Sequence, residues 1–133
     1  MPSFLRNRKS PRSPFVQRGE DILKRCSHDE TLDLDPVLPR EVCQPKNTRE
    51  VQKAVLYAAQ NGLAVTARGA GTGKAGGCVP SKNSLVIDFS KMNQILEMST
   101  ENLTATVEPG VILQDFKTVA EAKNLFYPYR GSG

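Results

Sequence analysis

The sequence predicts a mixed α/β fold of the α+β kind, organised as a single domain. Two observations lead to this prediction. Segments with helical apolar spacing alternate with short β-rich runs between residues 42 and 128, and a glycine-rich, basic loop interrupts this series. A chain of 133 residues with 38% hydrophobic residues has the size and composition of one ordinary domain. The expected order is strand, helix, strand, loop, several strands and a final helix.

The first long helix is predicted to follow Asn47. Asn47 and Glu50 resemble a capping box, in which a polar cap residue is followed three positions later by a glutamate. Gly62 is expected to end this helix in a left-handed conformation, and residues 63–67 then form a short strand that leads into the glycine-rich loop. The residues that set the helical spacing are Val51, Ala54, Val55, Ala58 and Ala59.

The second half of the domain is predicted to contain three short strands and one helix. Residues 85–89 and 95–98 are β-rich runs, and residues 103–107 alternate between apolar and polar side chains as in a half-buried strand. Pro109 and Gly110 turn the chain. A helix then follows, closed by Asn124, and its apolar face consists of Ile112, Leu113, Phe116, Val119 and Ala120.

The N-terminal residues have a different composition from the rest of the chain. Five of the 18 basic residues and no acidic residue lie in residues 1–19, so 13 basic residues face 14 acidic ones elsewhere. We interpret residues 1–20 as a disordered basic arm, residues 21–41 as a connector and residues 42–133 as the domain, with regular structure starting near Val42. The arm fits a solvated tail or an organelle transit peptide; binding of nucleic acid is the least favoured alternative, because no aromatic residues or patterned basic stripe follow.

The composition argues against several classes of function. No apolar run approaches the ~20 residues that a membrane span requires, so the sequence predicts a protein without a membrane span. The three cysteines are far apart and include no Cys-x-x-Cys pair, which argues against a disulfide framework or a zinc site and favours a reducing, cytoplasmic location. The single histidine, His28, is interpreted as a surface residue. No catalytic residue and no metal ligand is predicted.

Residues 68–77 form the loop that carries the functional prediction. Glycines without side-chain bulk let several backbone N–H groups point into one concavity and donate to an anion, while Arg68 or Lys74 adds positive charge. The alternative is a tight surface loop that binds nothing. Glycine loses more conformational entropy on folding than other residues, which disfavours that alternative.

Spacing separates three ways in which such a loop binds phosphate. A Walker loop would need glycine at position 68, where Arg68 stands, and a magnesium-ligating hydroxyl where Ala75 stands. A dinucleotide fingerprint must open a helix, which Gly77 and Pro80 prevent. A backbone nest that holds a diphosphate between strands, without a helix, is compatible with every residue.

Four segments between Cys43 and Pro128 carry a resemblance to a known family. They are Gln44-Pro45, Arg68-Gly69-Ala70-Gly71-Thr72-Gly73 with Gly76-Gly77 and Pro80, Asp88-Phe89-Ser90-Lys91-Met92-Asn93, and Val107-Glu108-Pro109-Gly110-Val111. With these segments the region resembles the first part of the FAD-binding domain of the vanillyl-alcohol oxidase/PCMH flavoproteins, and within them the branch of glycolate oxidase subunits, D-lactate dehydrogenases and D-2-hydroxyglutarate dehydrogenases. The segment Asp29-Glu30-Thr31 also resembles the one that leads into the domain in this family.

The resemblance implies the first subdomain of a PCMH-type FAD-binding domain, with the loop holding the FAD pyrophosphate. Many relatives attach the flavin covalently through a histidine in this loop, and Thr72 stands at that place, which implies non-covalent FAD. Lys74 is interpreted as a solvated lysine. The cofactor-binding residues implied are Arg68, Gly69, Ala70, Gly71, Thr72, Gly73, Gly76, Gly77, Pro109 and Gly110.

The resemblance further implies oxidation of a 2-hydroxy acid such as D-lactate or glycolate to the 2-oxo acid, with a hydride passing to the flavin. Family members continue with the rest of the flavin domain and a cap domain, whereas this sequence stops at Gly133, so we expect a truncated chain that is inactive alone. Either a second polypeptide completes the flavin domain or the chain is a non-catalytic module. Weak or no FAD binding by the isolated chain is expected.

Overall fold

The computed structural model describes residues 16–128. Four strands form one mixed sheet in the order β1-β2-β4-β3, and two further strands, β5 and β6, form a separate antiparallel hairpin. The elements are β1 Val16–Gln17, α1 Glu20–Arg25, β2 Glu41–Cys43, α2 Thr48–Gln60, β3 Ala64–Arg68, β4 Ser84–Asp88, a 3₁₀ turn Phe89–Lys91, β5 Ile95–Ser99, β6 Thr104–Val107 and α3 Leu113–Ala122. The expected mixed α/β fold is confirmed.

The main sheet lies between two helices. Strands β2, β4 and β3 are parallel, and β1 adds to β2 in the antiparallel direction. On one face Ala54 and Ala58 of α2 pack against Leu85 and Ile87. On the other face Cys26, which directly follows α1, packs with Val42 and Val86. Covered on both faces, β4 is buried along its whole length, as is usual for a central parallel strand.

The ends of α2 follow the sequence signals closely. The Asn47 side chain accepts from the Glu50 N–H, and the Glu50 carboxylate accepts from the Lys46 N–H. At the other end Gly62 adopts a φ of +63°, and the Leu63 N–H donates to the Ala58 carbonyl, a bond characteristic of the Schellman motif. The boundaries of α2 are therefore set by local chemistry.

Two predicted strands are displaced by one residue. The strand expected at residues 63–67 is β3, Ala64–Arg68, because Leu63 is occupied in closing α2. The strand expected at residues 85–89 is β4, Ser84–Asp88. It ends at Asp88 because that side chain accepts from the Ser90 N–H and starts a 3₁₀ turn.

The hairpin and α3 are much less covered than the main sheet. All four residues of β6 are exposed, and the only buried residue of α3 is Ala120. Asn124 adopts a φ of +58° and closes α3 as predicted, with the Leu125 N–H donating to the Ala120 carbonyl. Between the hairpin, α3 and the chain that follows lies an open apolar groove of about 580 Å³.

Regular structure begins before Val42, earlier than the sequence predicts. Val16 and Gln17, within the arm expected to be disordered, form β1, paired with Cys43 and Val42, and α1 begins at Glu20, the last residue of that arm, and continues into the connector. The buried Glu41 carboxylate is paired with the Arg18 guanidinium, which fastens this start to β2. A two-residue strand is too short to produce a periodic pattern. Residues 1–15 of the expected disordered arm lie outside the described residues.

Within residues 16–128, no helix has the length and apolar character needed to cross a bilayer. The same residues contain no cluster of three or more histidine, cysteine, aspartate or glutamate side chains that could hold a metal ion.

Candidate functional site

The glycine-rich loop lies at the carboxyl end of the parallel strands. Residues 69–83 join β3 to β4, and because these strands are parallel and adjacent, the loop returns from the carboxyl end of one to the amino end of the other. Arg68 and Asp88, the last residues of the two strands, are register partners. Ligands of open α/β sheets bind outside this edge. The residues predicted from the sequence therefore occupy the edge where a ligand is expected.

The backbone amides of the loop differ in whether any atom of the described residues accepts a hydrogen bond from them. Within residues 16–128, no atom accepts a hydrogen bond from the backbone N–H of any residue from Gly69 to Ala75. The N–H groups of Gly76 and Cys78, by contrast, already donate to side-chain oxygens of Thr31 and Asp29. Apart from Gly71, which is half-buried, residues 69–75 are exposed. A run of unpaired donors on one loop is the feature that a backbone anion nest requires.

Gly73 and Gly77 are loop glycines that the fold does not require, and the same is true of Gly69. A Cβ atom at Gly73 would make only an ordinary contact, 3.6 Å from Asp29 Oδ2, and a Cβ at Gly77 would meet no atom within 4 Å. None of the three residues has a positive φ. Their lack of a side chain leaves the backbone open to close approach from outside, as a diphosphate would need. The loop therefore fits the cofactor that the sequence predicts.

Gly71 differs from these three glycines. It has a φ of +77°, and an added Cβ would lie 2.1 Å from Nη2 of Arg68. The Arg68 side chain is 9% exposed and its Nη1 donates to the His28 carbonyl oxygen at 2.5 Å. The Arg68 side chain thus packs against the loop backbone at Gly71 and links it to His28, and it also places positive charge there.

A cavity of about 260 Å³ lies beside the start of the loop. It brings together Arg68, Gly69, Ala70 and Gly110, four of the residues predicted from the sequence. The other six predicted residues, at positions 71, 72, 73, 76, 77 and 109, do not line it. Arg25, Asp88, Ser90, Asn93 and Ile112 also line this cavity and were not predicted as site residues.

Asp88, which lines this cavity, joins three separate segments of the chain through its carboxylate. Its carboxylate is buried and accepts three hydrogen bonds, from Arg25 Nη2 at 2.9 Å, from Gln44 Nε2 at 2.8 Å and from the Ser90 N–H at 3.0 Å. These donors come from α1, from the residue after β2 and from the 3₁₀ turn. The segment from Asp88 to Asn93 was part of the family resemblance, so the signal for these residues was present in the sequence.

The turn at Pro109 and Gly110 reaches the same place for a different reason. A Cβ at Gly69 would lie 3.8 Å from the Pro109 carbonyl oxygen, so the two predicted segments are adjacent. A Cβ at Gly110 would fall 1.9 Å from the Phe89 carbonyl oxygen, and the Gly110 N–H donates to the Met92 carbonyl at 2.7 Å. Gly110 is therefore a glycine because the backbone of the 3₁₀ turn passes directly over it.

The comparisons with known proteins agree with this geometry. Residues 39–133 match a family model described as an FAD binding domain. The glycolate oxidase subunit GlcD of Bacillus subtilis is 44% identical over 91 residues, which cover 68% of this chain and 19% of GlcD. The D-lactate dehydrogenase of Anaerostipes hadrus is 32% identical over 127 residues, which cover 96% of this chain and 27% of that enzyme.

The fold has a counterpart among solved structures. The structure of p-cresol methylhydroxylase with substrate bound superposes with a TM-score of 0.71 at 21% identity, covering 84% of this chain and 22% of that one. Fold and sequence together define a domain of FAD-linked oxidoreductases. The chain belongs to the FAD-binding domain family, in the branch of glycolate oxidase subunits, D-lactate dehydrogenases and D-2-hydroxyglutarate dehydrogenases, and it shares its fold with p-cresol methylhydroxylase. It spans about a quarter or less of the length of these relatives.

Proposed function

We propose that the loop from Arg68 to Gly77 binds the pyrophosphate of FAD through its backbone amides. The observation that carries this proposal is the run of N–H groups from Gly69 to Ala75 without acceptors among residues 16–128. Thr72 adds a hydroxyl beside these donors. Pro109 and Gly110, adjacent to Gly69, bound the same side of the cofactor.

FAD is bound non-covalently in this proposal. The segment from Arg68 to Gly77 contains no histidine, cysteine or tyrosine that could attach a flavin, and Thr72 stands in the middle of it. His28 is the single histidine of the chain, and its Nδ1 lies 3.2 Å from Ser27 Oγ. Acid denaturation should therefore release all of the flavin from any FAD-bound form of the protein.

The reaction of the complete protein is, in this proposal, oxidation of a 2-hydroxy acid such as D-lactate or glycolate to the 2-oxo acid. The names of the B. subtilis and A. hadrus relatives support this substrate class. The flavin would supply the hydride acceptor. The described residues of this chain contribute binding groups for the cofactor, and substrate-contacting groups would come from elsewhere.

In this proposal, a second polypeptide that completes the flavin domain would cover the exposed apolar groove between the hairpin and α3. The 580 Å³ groove between the hairpin and α3 is lined by apolar side chains, among them Leu103, which is 74% exposed, and Phe126, which is 81% exposed. Exposed apolar surface of this kind marks interaction sites. A non-catalytic module that uses the same groove to bind a partner remains the alternative.

Titration of the 133-residue chain with FAD, ADP and riboflavin tests the proposed site. The cavity of about 260 Å³ is smaller than the ~300–1,000 Å³ that bury a drug-sized ligand. We therefore expect weak binding. The amide NMR signals of residues 69–75 should shift with FAD and ADP, which carry a diphosphate, and not with riboflavin, which carries none. Equal shifts with riboflavin, or ADP-induced shifts confined to other residues, would contradict the site. A yellow, stoichiometric complex of the isolated chain would overturn the expectation of weak binding.

A further inference from the structure

Residues 28–31, here called the clamp segment, are joined to the glycine loop by four hydrogen bonds. The first two run from Arg68 Nη1 to the His28 carbonyl at 2.5 Å and from the Glu30 N–H to the Gly73 carbonyl at 2.9 Å. The other two run from the Gly76 N–H to Thr31 Oγ1 at 2.6 Å and from the Cys78 N–H to Asp29 Oδ2 at 3.3 Å. In each of these four bonds, donor and acceptor are at least 40 residues apart in the sequence.

The clamp segment is itself fixed to the core. Cys26, two residues before it, is fully buried against Val42 and Val86. The Ser27 hydroxyl donates to the Lys24 carbonyl at 2.7 Å, and the Val37 N–H donates to the Ser27 carbonyl at 2.9 Å. The loop is therefore anchored at its two ends by β3 and β4 and near its middle by a third, independent attachment.

Asp29 and Thr31 carry the side-chain part of this attachment. Asp29 is buried, and its Oδ1 accepts from the Thr31 N–H at 3.0 Å while its Oδ2 accepts from Cys78. The hydrogen bonds to Thr31 and Cys78, together with the charge of Arg68, lower the pKa of the Asp29 carboxyl below its usual value. Asp29 is thus a carboxylate at neutral pH and holds both the clamp segment and the end of the loop.

The hydrogen bonds of the clamp segment divide the backbone amides of the loop into two groups. The downstream donors, Gly76 and Cys78, are used by Thr31 and Asp29, whereas no acceptor within residues 16–128 takes the donors from Gly69 to Ala75. Ordering a glycine-rich loop is entropically costly, and a binding site that is ordered before its ligand arrives does not incur this cost on binding. The hydrogen bonds of the clamp segment order the loop and leave the N–H groups of residues 69–75 unused.

We propose that Asp29 and Thr31 are positioning residues that hold the glycine loop in its diphosphate-binding conformation. This assignment rests on the proposed function of the loop. In this assignment both side chains act through the backbone of the loop and not through contact with the diphosphate. Thr31 fixes the loop at Gly76 through its hydroxyl oxygen, and Asp29 fixes both Thr31 and Cys78.

A threonine series in the full 133-residue chain tests this role. Thr31→Val removes the acceptor for the Gly76 N–H, and we expect about a fivefold loss of ADP affinity, the effect of one hydrogen bond. Amide exchange of Gly76 should accelerate, and so should exchange of Glu30, whose N–H donates to the Gly73 carbonyl of the same loop. Thr31→Ser keeps the oxygen and should restore both affinity and protection. Thr118→Val is the matched control, because it removes a hydroxyl that bonds the Gln114 carbonyl on the surface of α3, far along the chain from the loop.

The outcomes separate this role from the proposed function. Equal ADP affinity and unchanged exchange in Thr31→Val would overturn the positioning role and leave the diphosphate site in place. Loss of affinity in Thr31→Ser as large as in Thr31→Val would also overturn it. No response of the wild-type loop to ADP would overturn the proposed function and this assignment with it. If Thr31→Val fails to fold, Asp29→Asn is measured in its place, with loss of protection at Cys78 as the supporting result and unchanged protection as the contradicting one.

Discussion

The guanidinium group of Arg68 lies directly against the backbone of Gly71, so close that a methyl group on Gly71 would fall 2.1 Å from Nη2. Arg68, the last residue of β3, therefore fills the space that a side chain at Gly71, the third residue of the following loop, would need. Arg68 reaches past Gly71 to the His28 carbonyl. The conformation of the loop and the position of this arginine are one structural unit.

The substitution Gly71→Ala should disrupt the packing of Arg68 against the loop. If the alanine keeps the φ of +77°, its backbone is strained and its Cβ displaces Arg68; we expect a loss of about 1–2 kcal/mol in the free energy of unfolding. Urea unfolding followed by circular dichroism measures it. Gly77→Ala is the control, because its Cβ meets no atom within 4 Å, and it should stay within about 0.5 kcal/mol of wild type. Equal losses in both variants would contradict the contact with Arg68.

Gly110→Ala should be more damaging than either loop variant. Its Cβ would lie 1.9 Å from the Phe89 carbonyl oxygen and 2.7 Å from that of Met92, and backbone atoms cannot move aside as a flexible side chain can. Overpacking of this kind costs about 1–3 kcal/mol or more. The thermal unfolding midpoint of Gly110→Ala should fall below that of Gly71→Ala, and the reverse order would show that the turn tolerates displacement.

Acidification should release the clamp segment. The folded-state pKa of Asp29 lies below its ordinary value of 3.8, so the carboxylate stabilises the fold above that pH, and this stabilisation is lost as the pH falls through the folded-state pKa. Urea midpoints measured from pH 7 to pH 3 should fall more steeply for wild type than for Asp29→Asn. Parallel curves for the two proteins would mean that Asp29 does not contribute to this acid dependence.

The three cysteines should react with thiol reagents in a defined order. Burial, with the nearby charges of Asp88 and Glu50, raises the pKa of the Cys43 thiol to about 12. Burial also raises the pKa of the Cys26 thiol. Cys78, which is half-buried on the glycine loop, should therefore be labelled first in native protein, with Cys26 and Cys43 reacting only on unfolding. Mass spectrometry of native and urea-unfolded samples identifies the labelled sites, and early labelling of Cys43 would contradict the buried position of β2.

Removing the guanidinium of Arg18 should destabilise the start of the fold. Glu41 is 1% exposed and pairs with Arg18, so Arg18→Met leaves the carboxylate buried beside an apolar chain. Because Arg18 is half-exposed, we expect about 1–3 kcal/mol, below the range for fully buried pairs. Adding Glu41→Gln to Arg18→Met should recover part of this loss. No loss in the single variant would indicate that β1 contributes little to the sheet.

The sequence predicted those features whose chemistry is local. The cap at Asn47, the left-handed Gly62, the end of α3 at Asn124 and the glycine loop each depend on residues within a few positions of one another, and each is found as predicted. The clamp segment was not predicted as part of the site. Its bonds join residues 40 or more positions apart and leave no periodic signal. The same holds for Arg25 and Asp88, which meet only when α1 and β4 are packed together.

The strand order β1-β2-β4-β3 has a consequence for how the chain folds as it is made. Strands β2 and β3 are not neighbours, and each is parallel to β4, which is synthesised after both. Until Asp88 has left the ribosome, neither strand has its parallel partner. The glycine loop acquires its anchor at Arg68 and Asp88 in the same event. Such long-range pairing is slow compared with helix formation. A nascent chain arrested before residue 84 should therefore contain helical structure but no assembled binding edge.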